Sequence, residues 1–230
     1  MRISNCPSGP RTDLLTSRAS RRTRDGPLML RFLVVLLLSL AAGTTQAATP
    51  KTVLVLGDSL SAAHNIPVEA GWVHLLGDRL TKMEPGWSVV NASISGETSL
   101  SGRNRLPALL TKYKPSIVVL ELGANDGLRG LPLDALRTNL AAMIDQAQAA
   151  KAKVLLLGIE LPVNYGPQYR DGLRAIYSDL SGQKHTGLVP FLLDGVALKP
   201  ELMQDDGLHP VAAGEPMVLD TVWKHLQPLL

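Results

Sequence analysis

From Thr52 onward, short apolar runs alternate with longer stretches in which apolar residues recur every three or four positions. Residues 52–56 (TVLVL), 88–91, 117–122, 154–159 and 188–191 are aliphatic and partly β-branched. Runs of this kind predict strands covered on both faces. Between them, Leu133, Leu136, Leu140, Met143, Ile144 and Ala147 fall on one helical face. Residues 72–80, 100–113, 168–181 and 211–226 predict the other helices, with Pro107 and Pro216 expected to start, kink or shorten theirs. Strand alternating with helix predicts an α/β fold: a parallel sheet with helices on both faces. No repeat or linker interrupts the pattern after residue 50, so residues 48–230 are expected to form a single domain.

The first 47 residues follow a different pattern. Residues 32–42 (FLVVLLLSLAA) are an apolar run preceded by Arg31 and followed by small residues up to Ala47. This is the layout of a secretory signal with cleavage after Ala47. The run is shorter than the ~20 residues a spanning helix needs. Residues 1–28 are polar and Arg-rich, which makes Met29 the natural start, with Met1 and a long charged region as the alternative. Residues 1–47 are therefore expected to be removed, leaving no stable membrane anchor and a periplasmic or secreted product.

Composition supports a packed core: 45% of the 230 residues are hydrophobic and 19% are charged. The formal charge of +3 belongs to the leader, which holds seven of the 23 basic and two of the 20 acidic side chains. The remaining 16 basic and 18 acidic groups remove the electrostatic case for a nucleic-acid partner. The single cysteine, Cys6, also lies in the leader. The mature chain thus has neither a disulfide nor a thiol nucleophile.

In a parallel α/β sheet, ligands bind outside the carboxyl ends of the strands. The segments after the predicted strands are Gly57-Asp58-Ser59-Leu60, Ser93-Ile94-Ser95-Gly96-Glu97-Thr98, Gly123-Ala124-Asn125-Asp126-Gly127 and, after the fifth, a loop holding Asp205-Asp206-Gly207-Leu208-His209-Pro210. A serine becomes a nucleophile when a base lies within hydrogen-bond reach and an acceptor orients that base. Ser59, His209 and Asp206 are the candidates for these three roles. The backbone N–H groups of Ser59 and Gly96 and the side-chain amide of Asn125 are candidates for stabilising an oxyanion. Each residue also has a plainer reading: Ser59 as a helix N-cap, Asn125 as a turn former, Asp205 and Asp206 as loop acids. Asp58 and Asp126 read as structural. His64 is the rival base, whereas His74, His185 and His225 show no metal-ligand spacing.

Taken in order, these blocks resemble the GDSL, or SGNH, hydrolase family. Gly57-Asp58-Ser59-Leu60 is similar to its first block, Gly96 in SISGET to its second, Asn125 in GAND to its third, and Asp206 with His209 in DGLHP to its fifth. NASISGET, RLPALL, LELGANDGLRG and QDDGLHP look most like the bacterial periplasmic branch of thioesterases, lysophospholipases and arylesterases. The resemblance implies a flavodoxin-like three-layer α/β/α sandwich with a five-stranded parallel sheet. It also implies a Ser–His–Asp triad, a three-donor oxyanion hole, and no metal or cofactor. The implied partner is a small ester or thioester substrate, handled by a monomer. Loop positions and the resemblance together make Leu128, Leu161 and Pro162 candidates for an acyl pocket, with Leu122, Leu131 and Val163 near them. A lid after Asn125 hinged at Gly127 and Gly130 is a further expectation.

Two features depart from familiar patterns. Ser61 stands where the G-x-S-x-G elbow of α/β-hydrolases has its second glycine. Glu160 precedes Leu161-Pro162 where thioesterase-like members carry arginine, which leaves acyl preference open. A carbohydrate O-acetyl esterase, a non-catalytic acyl-binding module and an exported lipid carrier remain alternative readings.

Overall fold

The computed structural model describes residues 51–230; the expected leader lies outside the described residues. Five strands form one parallel sheet: β1 (Lys51–Gly57), β2 (Trp87–Asn91), β3 (Ile117–Glu121), β4 (Lys153–Leu157) and β5 (Gly187–Val189). Their spatial order is β2-β1-β3-β4-β5, the flavodoxin-like order. The six helices among the described residues are α1 (Trp72–Met83), α2 (Ser99–Tyr113), α3 (Ala124–Leu128), α4 (Leu133–Ala149), α5 (Pro167–Lys184) and α6 (Glu215–Leu226).

Side chains alternate across a strand, so each strand feeds two cores. Leu54, Leu56, Val118 and Leu120 face Leu106 of α2, Leu140 and Met143 of α4, and Leu173 and Tyr177 of α5. Val53, Val55, Ile117 and Val119 face Trp72, Leu76 and Leu80 of α1 and Val218 and Val222 of α6. Burial on both faces explains why these strands read as unbroken aliphatic runs. The expected three-layer α/β/α architecture is present.

Several boundaries differ from expectation. β4 ends at Leu157 and β5 at Val189; the Gly158 N–H still bonds to Val189 O at 2.8 Å, but Pro190 has no N–H to carry the pairing further. The last helix begins at Glu215 with Pro216 in its first turn, where proline has no N–H to lose. Pro107 instead lies inside α2, which continues to Tyr113 with Leu106 and Leu110 buried in the core. Packing there outweighs the missing backbone bond. The order of the strands puts the carboxyl ends of β1 and β3 side by side at the point where the connections change direction. Gly57 pairs with Glu121 at that edge.

Candidate active site

Ser59 follows β1 in a series of turns, half-buried, and the chain places His209 against it from a loop 150 residues later. His209 Nε2 lies 2.8 Å from Ser59 Oγ. Its Nδ1 lies 2.7 Å from Asp206 Oδ2. The other oxygen of Asp206 accepts the N–H groups of Leu208 at 2.9 Å and His209 at 3.0 Å. Burial pushes the Asp206 carboxyl up, but these N–H groups and the His209 ring together outweigh it and hold the acid below its ordinary range. Asp206 is thus an ionised acceptor that fixes the ring so that Nε2 faces the serine. The three sequence-predicted residues stand together in hydrogen-bonded series.

His64, the rival base, is also nearby. Its ring centroid is 4.5 Å from that of His209, with the planes tilted by 42°. The contact to Ser59 Oγ, however, belongs to His209. His64 is held by Ala63 and Asn65, which both adopt left-handed backbone with φ of 57° and 56°. For an alanine this conformation costs roughly 1–2 kcal/mol. Gln204 fastens the two histidine segments together, its Nε2 donating to His64 O at 2.9 Å and to Pro210 O at 2.8 Å.

The expected oxyanion donors converge on the same rim. Asn125 Nδ2 donates to Asp58 Oδ2 at 3.0 Å and to Glu97 O at 3.1 Å. The amide therefore sits between the chain neighbours of Ser59 and Gly96. Both of its hydrogens are engaged, so an oxyanion would share one of them. Gly96 has φ of +80°, a conformation that favours glycine, and its carbonyl accepts Arg129 Nη2 at 3.0 Å. Gly123 starts the turn into α3 with φ of +129°, and a Cβ there would lie 2.2 Å from Tyr177 Oη. Only glycine fits, which fixes where Asn125 begins its helix.

Below Ser59 lies a pair of acids. Asp58 is fully buried, with Oδ1 accepting the Leu60 N–H at 3.1 Å while Oδ2 takes Asn125. Its structural reading is supported. Glu121, at the end of β3, is also fully buried. Glu121 Oε2 accepts the Asp58 N–H at 3.2 Å and the Ser61 hydroxyl at 2.8 Å. The latter contact explains why serine occupies that position. Burial raises the Asp58 carboxyl to about 6, against the lowering pull of Leu60, Asn125 and His209. Burial, and then the charge of Asp58, raises Glu121 well above its ordinary range. Both carboxyls are thus pushed toward their neutral forms by burial, and each raises the cost of ionising the other. Sequence reasoning missed Glu121. Its signal was an acid closing an otherwise aliphatic buried strand, which requires a polar partner. Asp126 is likewise structural, accepting the Ser99 N–H at 2.8 Å and the Ser99 hydroxyl at 2.6 Å.

Beside Ser59 and His209 opens a cavity of about 90 Å³ lined by Leu128, Leu161, Pro162, Phe191 and Leu193. The expected acyl-pocket residues Leu128, Leu161 and Pro162 all line it. A second cavity of about 390 Å³ shares Leu161, Pro162, Phe191 and Leu193 and extends to Val163 and Leu198. Leu122 does not reach the pocket; it is packed in the core beneath. Leu131 lines neither cavity. Glu160 stands at both, with Oε1 3.2 Å from Arg174 Nε and Oε2 4.0 Å from Arg170 Nη2.

The expected lid hinge at Gly127 is not present. Gly127 is buried within α3, where an added Cβ would lie 2.8 Å from both methyl groups of Leu161. The following segment is fastened by Tyr165 Oη to Leu128 O at 2.9 Å and Tyr169 Oη to Leu131 O at 2.7 Å. Gly130 does have positive φ, +63°, as part of that tied turn.

Comparisons with known proteins agree with this fold. Esterase TesA of Pseudomonas aeruginosa is 52% identical over 186 residues, covering 81% of this chain and 92% of that protein. Thioesterase 1/protease 1/lysophospholipase L1 of Escherichia coli (strain K12) is 45% identical over 201 residues, covering 87% and 93%. The crystal structure of TesA matches with a TM-score of 0.77 at 52% identity, over 78% of this chain and 100% of that one. The profile of the GDSL-like lipase/acylhydrolase family matches residues 55–215. With that match running from β1 to the first residue of α6, and relatives of this identity over most of its length, the chain belongs to the GDSL-like lipase/acylhydrolase family.

Proposed function

We propose that the protein is a serine hydrolase of carboxylic esters and acyl thioesters that works through an acyl-serine intermediate. The observation that carries this is the unbroken series Ser59 Oγ, His209, Asp206, with contacts of 2.8 and 2.7 Å. Ser59 attacks the substrate carbonyl as His209 Nε2 takes its proton, and Asp206 stabilises the resulting imidazolium. The N–H groups of Ser59 and Gly96 and the amide of Asn125 receive the oxyanion. His209 then protonates the leaving alcohol or thiol, and water, activated by the same imidazole, releases the acyl group.

The apolar lining by Leu128, Leu161, Pro162, Phe191 and Leu193 favours an acyl chain over a sugar ring. The names of the relatives, an esterase and a thioesterase/lysophospholipase, point to the same bonds. The test is initial rates on p-nitrophenyl esters of graded length beside matched acyl-CoA thioesters, with Ser59→Ala as control. Turnover that peaks at one chain length and vanishes in Ser59→Ala is expected. A folded protein with no turnover, or a Ser59→Ala protein with undiminished rates, overturns the reading and favours an acyl-binding module.

The mature enzyme is further proposed to begin at Ala48 and to act, as a monomer, in the periplasm or outside the cell. The apolar run preceded by Arg31 supports export. No helix among the described residues is long and apolar enough to cross a membrane. Fractionation with N-terminal sequencing tests the location and the cut, and light scattering tests the monomer. Retention in the cytoplasm with an intact leader would refute export.

A further inference from the structure

His64 has no part in the mechanism above, yet its placement on the rim is constrained. Two left-handed residues flank it, Ala63 and Asn65, and Gln204 ties its carbonyl to the His209 loop. This brings a second imidazole to face the triad. His64, Asp206 and His209 each offer one ligating atom, and these atoms all lie within 4.8 Å of one another. We infer that these three residues form a reversible binding site for a zinc-class transition-metal ion, and that the ion switches the enzyme off.

The donor set selects the metal. Two imidazole nitrogens and one carboxylate oxygen suit a borderline ion such as Zn²⁺ and not the all-oxygen preference of Mg²⁺ or Ca²⁺. Tetrahedral zinc holds nitrogen and oxygen at about 2.0–2.2 Å, which spaces its ligands about 3.4 Å apart. Closing from at most 4.8 Å takes no more than about 1.4 Å of relative side-chain movement. The half-buried rings and the exposed Asp206 can supply it by rotation. Water or Ser59 Oγ completes the shell.

Inhibition follows from the hydrogen bonds. His209 spends both ring nitrogens in the triad, one on Ser59 and one on Asp206. Whichever nitrogen the ion takes, one of these bonds is lost. If Nε2 is taken, the base cannot accept the serine proton; if Nδ1 is taken, the ring loses its orientation. Asp206 is withdrawn in the same event. Metal binding and acylation are therefore mutually exclusive. This inhibitory consequence rests on the hydrolase reading, but the binding itself does not.

Two measurements separate them. The first is calorimetric titration of the Ser59→Ala protein with ZnCl₂, which requires no turnover. One tight site is expected, weakened by His64→Phe. Loss of even an outer-shell partner costs about 10–100-fold in metal affinity, so loss of a ligand should cost at least that. Equal affinity with and without His64 overturns the site. The second is p-nitrophenyl ester hydrolysis with Zn²⁺ or Mg²⁺ added. The wild type should be inhibited by Zn²⁺ alone and restored by chelator, while His64→Phe keeps basal turnover and resists inhibition by at least about tenfold more zinc. Should circular dichroism show His64→Phe misfolded, His64→Gln replaces it in both. Wild type and variant inhibited alike, or wild type indifferent to zinc, would refute the switch.

Discussion

Asp58 Oδ2 accepts the side-chain amide of Asn125 at 3.0 Å, while the backbone of Asp58 leads directly into Ser59, the proposed nucleophile. One carboxylate therefore fixes both the turn that carries the serine and the amide assigned to the oxyanion. Its other oxygen accepts the Leu60 N–H, so neither oxygen is spare. Glu121 holds the Asp58 N–H from below.

Asp58→Asn replaces one of these oxygens with an NH₂ group that must face a donor, either Leu60 N–H or Asn125 Nδ2. Either the amide of Asn125 is misdirected or the turn that carries Ser59 loses its anchor at Leu60. Outright loss of an oxyanion donor costs about 10²–10³ in kcat, so misdirection should cost roughly 10–100-fold, with KM nearly unchanged. Steady-state kinetics on one aryl ester measures this. An unaltered kcat would show that Asp58 does not position Asn125.

Asp206→Asn keeps the shape of the acid but offers NH₂ or a neutral oxygen to His209 Nδ1. The ring then presents the wrong tautomer to Ser59. The expected fall in kcat at neutral pH is on the order of 10³–10⁴. A loss of less than about tenfold would mean that Asp206 does not govern the base.

Glu215, the first residue of α6, accepts the Trp72 N–H at the start of α1 at 2.8 Å. Burial raises its carboxyl from 4.5 to about 7, outweighing that hydrogen bond. A folded-state value above the unfolded one means that the native state holds the proton more tightly. Stability is fully present below about pH 4.5 and declines as pH rises through about 7, by roughly 3 kcal/mol for this group. Glu215→Gln keeps an acceptor for Trp72 and removes the charge. Chemical denaturation from pH 4 to 8 should show a flatter profile for the variant and a higher stability than wild type at pH 8. Identical slopes in the two proteins would contradict the assignment. Asp58, raised to about 6, adds a slope of the same sign between about pH 4 and 6 in both proteins.

Gly127→Ala tests the pocket wall. Its backbone is helical, so alanine is conformationally acceptable, but the new methyl meets Leu161 Cδ1 and Cδ2 at 2.8 Å and Leu173 Cδ1 at 2.9 Å. Overpacking of this kind costs about 1–3 kcal/mol when the neighbours are fixed. Leu161 can yield only by swinging toward the cavity it lines. The chain-length optimum on p-nitrophenyl esters should move to shorter acyl groups while rates on acetate persist. An unchanged optimum would place the acyl chain elsewhere.

The fold was legible because its signal is periodic and repeated. The central strands β1, β3 and β4 bury both faces and therefore read as aliphatic runs, and loops at the carboxyl ends of the strands carry the candidate chemistry. Ser59, Asp206, His209 and Asn125 stood out because polar residues at such ends have few structural reasons to cluster. The order of the strands was not readable from apolar runs, which are interchangeable; it followed from the resemblance. Glu121 and Glu215 went unread because each looks like an ordinary acid at the end of an element, and only three-dimensional packing seals it from water. The lid expectation failed at Gly127 for a related reason. Glycine in a sequence signals freedom or closeness equally, and here the neighbour Leu161 makes it closeness.

Ser59 and His209, the proposed nucleophile and base, come from opposite ends of the described residues, separated by 150 positions. A ribosome therefore delivers Ser59 long before His209, and β1 can pair and pack while the serine still lacks any group to take its proton. On the proposed mechanism the polypeptide holds a serine without a base until the loop carrying His209 has been made, so reactivity is gained only when the two ends of the fold meet.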